Sequence, residues 1–174
     1  MDTVTAYLRL NGFIPSLLLA AAFLALLLYA RRSPWGLTVL ALPGTLAHEL
    51  LHYIVGLLLR AQPVGFSLWP RRTGKTWRLG EVSFARAGIF NSAFIAFAPL
   101  LLLPLGWLWL MQVTLPLWAA GRWGWWLPAV YLLATLLYAS LPSLTDIRLG
   151  LMSLIVYLTL GAMGWWLASL LGSR

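Results

Sequence analysis

Apolar residues along the chain gather into long runs at 13–30, 35–59, 87–111, 125–141 and 147–171, separated by short connections and one longer polar stretch at 61–86. A helix crossing a bilayer needs about 20 predominantly apolar residues, because the hydrocarbon core is roughly 30 Å thick and a helix rises about 1.5 Å per residue. The pattern therefore predicts an all-α polytopic membrane protein with about five transmembrane helices, folded as a single integral-membrane domain over 1–174. Arg31-Arg32 closes the first run and Arg60 the second. The first run lacks a basic start immediately before it and a small-residue cleavage site after it, so it reads as a retained helix and not a signal peptide. No internal repeat or low-complexity linker interrupts the series.

In the polar stretch 61–86 the period changes. Val64, Phe66 and Leu68 alternate with other residues, Pro70-Arg71-Arg72-Thr73-Gly74-Lys75 supplies turn chemistry, and Trp77, Leu79, Val82 and Phe84 follow. A short β-hairpin or re-entrant loop after the second helix fits this pattern, and so does an irregular connection.

Composition agrees with the hydrophobic pattern: 61% of residues are hydrophobic, 9% are charged, and mean hydropathy is +0.86. The formal charge of +8 does not point to nucleic acid, because the basic residues sit mostly in connections, where they set topology and meet anionic lipid. Arg60, Arg71, Arg72, Lys75, Arg78 and Arg86 make 61–86 and its flanks the most basic connection, which predicts that this loop and the N-terminus face the cytoplasm, as in a bacterial inner-membrane protein. Trp107, Trp109, Trp123, Trp125 and Trp126 lie near segment ends, where indole rings favour the membrane-water interface. With no cysteine, any metal must be held by histidine and carboxylate.

Such ligands are present in the second run, as His48-Glu49-Leu50-Leu51-His52. Positions four apart share a helix face, so His48 and His52 can offer imidazole nitrogens to one Zn²⁺, with Glu49 beside them as catalytic base. These are the only two histidines, and Glu49 is one of four acidic residues. An acidic side chain near mid-membrane costs roughly 2.5 to 3.5 kcal/mol on insertion scales, which argues against an idle role for the cluster. Catalytic zinc usually takes three protein ligands. Asp2 falls in a polar tail and Glu81 in the basic loop, where salt bridging with solvated partners suffices. Asp146 follows the helix-breaking Pro142 at the junction of the fourth and fifth runs, at the same predicted depth as His52. It is a third ligand for one zinc per chain, or else an N-cap of the last helix paired with Arg148.

With this motif, the later Asp and the polar loop, the chain resembles the site-2 protease group of intramembrane zinc metalloproteases from about Leu37 to Asp146. The resemblance implies that His48, His52 and Asp146 bind zinc and that Glu49 is the base. Ile147 follows Asp146 where the group has Gly, and Ala87-Gly88-Ile89-Phe90-Asn91 only loosely matches the group's Gly-rich stretch with Asn, so the chain reads as a divergent, minimal member.

The function expected is hydrolysis of peptide bonds in membrane-embedded or membrane-adjacent protein substrates, by water that zinc acidifies and Glu49 deprotonates. Asn91 is a candidate oxyanion or substrate donor, or a packing residue between helices. Phe66 and Val82 are candidate substrate contacts if the loop forms strands whose edge holds an extended segment. Two other classes stay open: a non-catalytic membrane zinc-binding regulatory or transport subunit, in which Glu49 is dispensable, and a structural membrane protein in which the motif is coincidental.

Overall fold

The computed structural model describes residues 3–69, 71–73, 76–78 and 80–172. Asp2, Pro70, Gly74, Lys75 and Leu79, which entered the reading of the chain, lie outside the described residues. Five helical runs form: α1 (Thr3–Ala30), α2 (Pro34–Leu58), α3 (Ser92–Ala119), α4 (Trp123–Ala139) and α5 (Leu144–Gly172). Three are long and apolar enough to cross a membrane: α1 over Asn11–Ala30, α3 and α5. α4 is apolar but shorter, with 17 residues. α2 has 25 residues, and its polar His-Glu-His set lowers its apolar character. Leu18, Val39, Leu58, Leu149 and Leu158 are exposed on α1, α2 and α5, apolar surface consistent with contact with lipid.

Four strands follow α2: β1 (Pro63–Ser67), β2 (Arg71–Thr73), β3 (Thr76–Arg78) and β4 (Glu81–Phe84). They pair as two antiparallel ladders, β1 with β4 and β2 with β3, so the chain is helical with a small bent β-hairpin. Phe66 and Val82 are direct cross-strand partners. The ring of Phe84 rests on Gly56, and Tyr53 meets Phe66 edge to face at 6.3 Å, which docks the hairpin on the last turns of α2.

α3 differs from the run expected at 87–111. Residues 87–91 form turns, with Asn91 Oδ1 accepting from the Gly88 N–H at 2.7 Å, and the helix then continues past Gln112 and Thr114 to Ala119. Its two irregular turns coincide with Pro99 and Pro116, while its third proline, Pro104, lies in the α-helical segment Leu102–Trp109 between them. Pro99 offers no N–H to the Ile95 carbonyl, and the helix tightens to a 3₁₀ turn over Ala98–Leu101; Pro116 offers none to the Gln112 carbonyl, and a π turn spans Leu110–Thr114.

α4 is the central helix, packed against α1, α2 and α3. Val130, Leu133 and Ala134 join Ala20, Leu110 and Leu115 in the main core. Trp109 and Trp126 are half-buried here, their indole N–H groups donating to the Ala129 carbonyl and to Ser16 Oγ, while Trp107, Trp123 and Trp125 are exposed. α2 runs alongside α4 at a constant offset of 91 residues. The Tyr131 hydroxyl donates to the Leu40 carbonyl, Gly44 lies against the Thr135 carbonyl with no room for a Cβ, and His48 reaches the Ala139 carbonyl. Small residues permit such backbone approach between apolar helices. Each step is one turn along both helices, so the close pass at Gly44 fixes where His48 arrives one turn later.

Candidate metal centre

His48, His52 and Asp146 come together from α2 and from the first turn of α5. Helical spacing stacks the two imidazoles on one face, their rings edge to face with centroids 4.7 Å apart. The tautomer of each ring is set by what its Nδ1 meets. His48 Nδ1 lies 2.6 Å from the Ala139 carbonyl oxygen and His52 Nδ1 lies 2.7 Å from that of Ile95. A carbonyl can only accept, so both Nδ1 atoms carry the proton and donate. In the neutral rings both Nε2 atoms then present lone pairs, and they face each other at 3.1 Å. The Asp146 carboxylate straddles the pair, Oδ1 at 3.5 Å from His52 Nε2 and Oδ2 at 3.6 Å from His48 Nε2.

Three electron-pair donors converging in this way repel one another unless a proton or a cation lies among them. A tetrahedral zinc with bonds near 2.0–2.1 Å sets its ligand atoms about 3.3 Å apart, close to the three separations here. The donor set, two imidazole nitrogens and one carboxylate, is also one that catalytic zinc accepts. These residues thus form a group that can hold a metal ion.

Both carbonyls are available because helices break beside them. In a continuous helix the Ile95 carbonyl would accept from residue 99, which is proline; it takes only the Ala98 N–H in the tightened turn and keeps a lone pair for His52. The Ala139 carbonyl would accept from residue 143. Pro142 intervenes with no N–H, and the Ser143 N–H turns instead to Asp146 Oδ2 at 2.7 Å.

Ser143 and Asp146 form a reciprocal capping box at the start of α5. Ser143 Oγ accepts from the Asp146 N–H at 3.2 Å while the carboxylate accepts from the Ser143 N–H. The N-cap is therefore Ser143, and Asp146 occupies the third helical position, where its carboxylate faces both the cap and the histidines. A place in the candidate metal group and a part in the cap, read from the chain as alternatives, fall on one side chain, although the N-cap itself is Ser143 and not Asp146.

Glu49 is 7% exposed. A Cβ at Gly80, the residue leading into β4, would lie 2.5 Å from Glu49 Oε1 and 2.7 Å from its Cγ, so the hairpin folds back over this carboxylate and only glycine fits there. Asn91 is committed nearby in the chain: Nδ2 donates to the Arg86 carbonyl at 3.1 Å while Oδ1 holds Gly88, bracing the turn before α3. Phe66 is exposed and Val82 half-buried on the β1–β4 ladder, and Glu81 opens β4 opposite Ser67. Pro99, Ser143, Gly80 and the two backbone carbonyls were not foreseen. The Ser-x-x-Asp spacing before an apolar run was the available signal for the cap.

An apolar helical bundle enclosing a His-His-Asp group is the class that fold and site define. No protein-family model, curated protein or solved structure matches the chain.

Proposed function

We propose that this chain is an intramembrane zinc metalloprotease, a divergent and minimal relative of the site-2 protease group, cleaving membrane-embedded or membrane-adjacent proteins. The observation that carries the reading is the convergence of two imidazole Nε2 atoms and one carboxylate, with a second carboxylate, the buried Glu49, next in sequence to His48. Zinc held there supplies a Lewis acid that polarises a peptide carbonyl and acidifies water. His48 and His52 would each keep the Nδ1 proton on a backbone carbonyl and offer Nε2 to the ion. Glu49 takes the proton of the attacking water and delivers it to the departing amine nitrogen. In this reading α2 and α4 also cross the bilayer, giving five crossings, and the basic hairpin faces the cytoplasm.

The β1–β4 sheet has two strands, so its outer edges hold backbone groups able to pair with an extended substrate. Proline at Phe66 or Val82 removes an N–H from this ladder. We expect Phe66→Pro and Val82→Pro to slow cleavage about tenfold or more, the scale on which misplaced substrate costs rate, while zinc content stays at the wild-type level. Equal loss of zinc and cleavage would count against an edge-binding role.

The test of the function as a whole is cleavage of a single-span reporter protein in liposomes containing the purified chain. Cleavage that stops when a chelator strips the metal and returns with added Zn²⁺ supports the protease. One bound zinc without cleavage of any reporter favours the regulatory or transport alternative, and a chain that binds no zinc is a structural membrane protein.

A further inference from the structure

The short break between α4 and α5 handles two of the three candidate ligands at once. Ala139, the last residue of α4, gives its carbonyl to His48 Nδ1; Ser143, four residues on, gives its N–H to Asp146 Oδ2 and receives the Asp146 N–H on its hydroxyl. In an unbroken helix the Ser143 N–H would close on the Ala139 carbonyl. Its diversion to Asp146 frees that carbonyl for His48 and holds the carboxylate in the rotamer that meets both histidines. Pro142, lacking an N–H, cannot reclaim the carbonyl from the position before.

We propose that Ser143 is a positioning residue for the metal centre: it touches no metal, but its hydroxyl and N–H preset the Asp146 carboxylate and release the Ala139 carbonyl to orient His48. The inference rests on the metal reading of His48, His52 and Asp146. The capping box alone would be an ordinary helix start, since Ser and Asp are common in the first turn. What lifts it beyond that is the carboxylate's second engagement: the oxygen that caps Ser143, Oδ2, is also the one 3.6 Å from His48 Nε2. Groups that orient metal ligands typically affect metal affinity about 10- to 100-fold.

The experiment is zinc affinity of the full-length chain in detergent, measured by competition with a chromophoric chelator, for wild type, Ser143→Ala, Ser143→Gly and Ser143→Thr, beside the thermal midpoint of each metal-free protein. Gly is a tolerated N-cap that lacks the hydroxyl, and it keeps the test available if the Ala variant does not fold. We expect zinc affinity to fall about 10- to 100-fold in the Ala and Gly variants and to return toward wild type with Thr, which restores the hydroxyl. The visible spectrum of the Co²⁺-loaded Ala and Gly variants should change as the ligand field distorts. Wild-type affinity in those variants, with only the metal-free midpoint lowered, would reduce Ser143 to a helix cap and overturn the proposal. Absence of zinc binding in the wild type would instead overturn the metal reading, and this inference with it.

Discussion

Glu49→Gln should keep about one zinc per chain and lose turnover by about 10²- to 10⁴-fold, the range over which a positioned acid or base contributes to rate. The substitution is nearly isosteric, which matters because there is no slack around the side chain: the backbone of Gly80 lies against its carboxylate. Replacing a buried carboxylate by an amide also removes a charge that is costly to hold among apolar helices, so folding should not suffer. The candidate ligands are untouched, since His48, His52 and Asp146 form the group without Glu49. Zinc content by mass spectrometry and the cleavage rate, both taken on one preparation, decide the matter. Turnover within a few-fold of wild type would remove Glu49 from the chemistry and favour a zinc-binding protein without hydrolysis.

His52→Ala should abolish stable zinc binding. His52 is the more buried of the two histidines and is held from both sides, by the Ile95 carbonyl on Nδ1 and by the shared site on Nε2. Four-ligand structural zinc sites bind with about 10–16 kcal/mol, or roughly 3 kcal/mol per ligand, so removing one of three protein ligands should weaken binding on the order of 10²-fold or more. The deletion also leaves the Ile95 carbonyl with a lone pair that has lost its donor, because Pro99 has no N–H to return to it. Dialysis against a chelator that spares the wild type should strip the variant, as read by metal analysis. Retention of a full equivalent of zinc would place the metal elsewhere in the molecule.

The helices and the His48-His52-Asp146 group were legible in the sequence for different reasons. Runs of apolar residues survive any detail of packing, so five helices could be located from them. The ends of α3 could not, because 87–91 is apolar enough to join the helix yet is tied into turns by the Asn91 amide, and because Gln112 and Thr114 look like a terminus but fall in or beside a π turn of a continuing helix. His48 and His52 were legible because four residues is a local spacing. Asp146 emerged from the scarcity of acids and from Pro142 beside it. The Ala139 and Ile95 carbonyls were hidden, since every residue carries a carbonyl and only tertiary approach over 91 and 43 residues shows which one a histidine meets. Alternation at Val64, Phe66 and Leu68 fitted strands and an irregular connection equally; β1 forms over Pro63–Ser67, and the division into two ladders depends on the turn geometry between them.

The parallel course of α2 and α4 has a consequence for how this chain can change. Leu40, Gly44 and His48 meet Tyr131, Thr135 and Ala139 like teeth of two racks with the same pitch. A residue inserted between Gly44 and His48 would turn the histidine by about 100° around its helix, away from the carbonyl that sets its proton. An insertion in a connection outside the two helices leaves the spacing of Leu40, Gly44 and His48 and of Tyr131, Thr135 and Ala139 unchanged, whereas one inside either helix breaks the mesh.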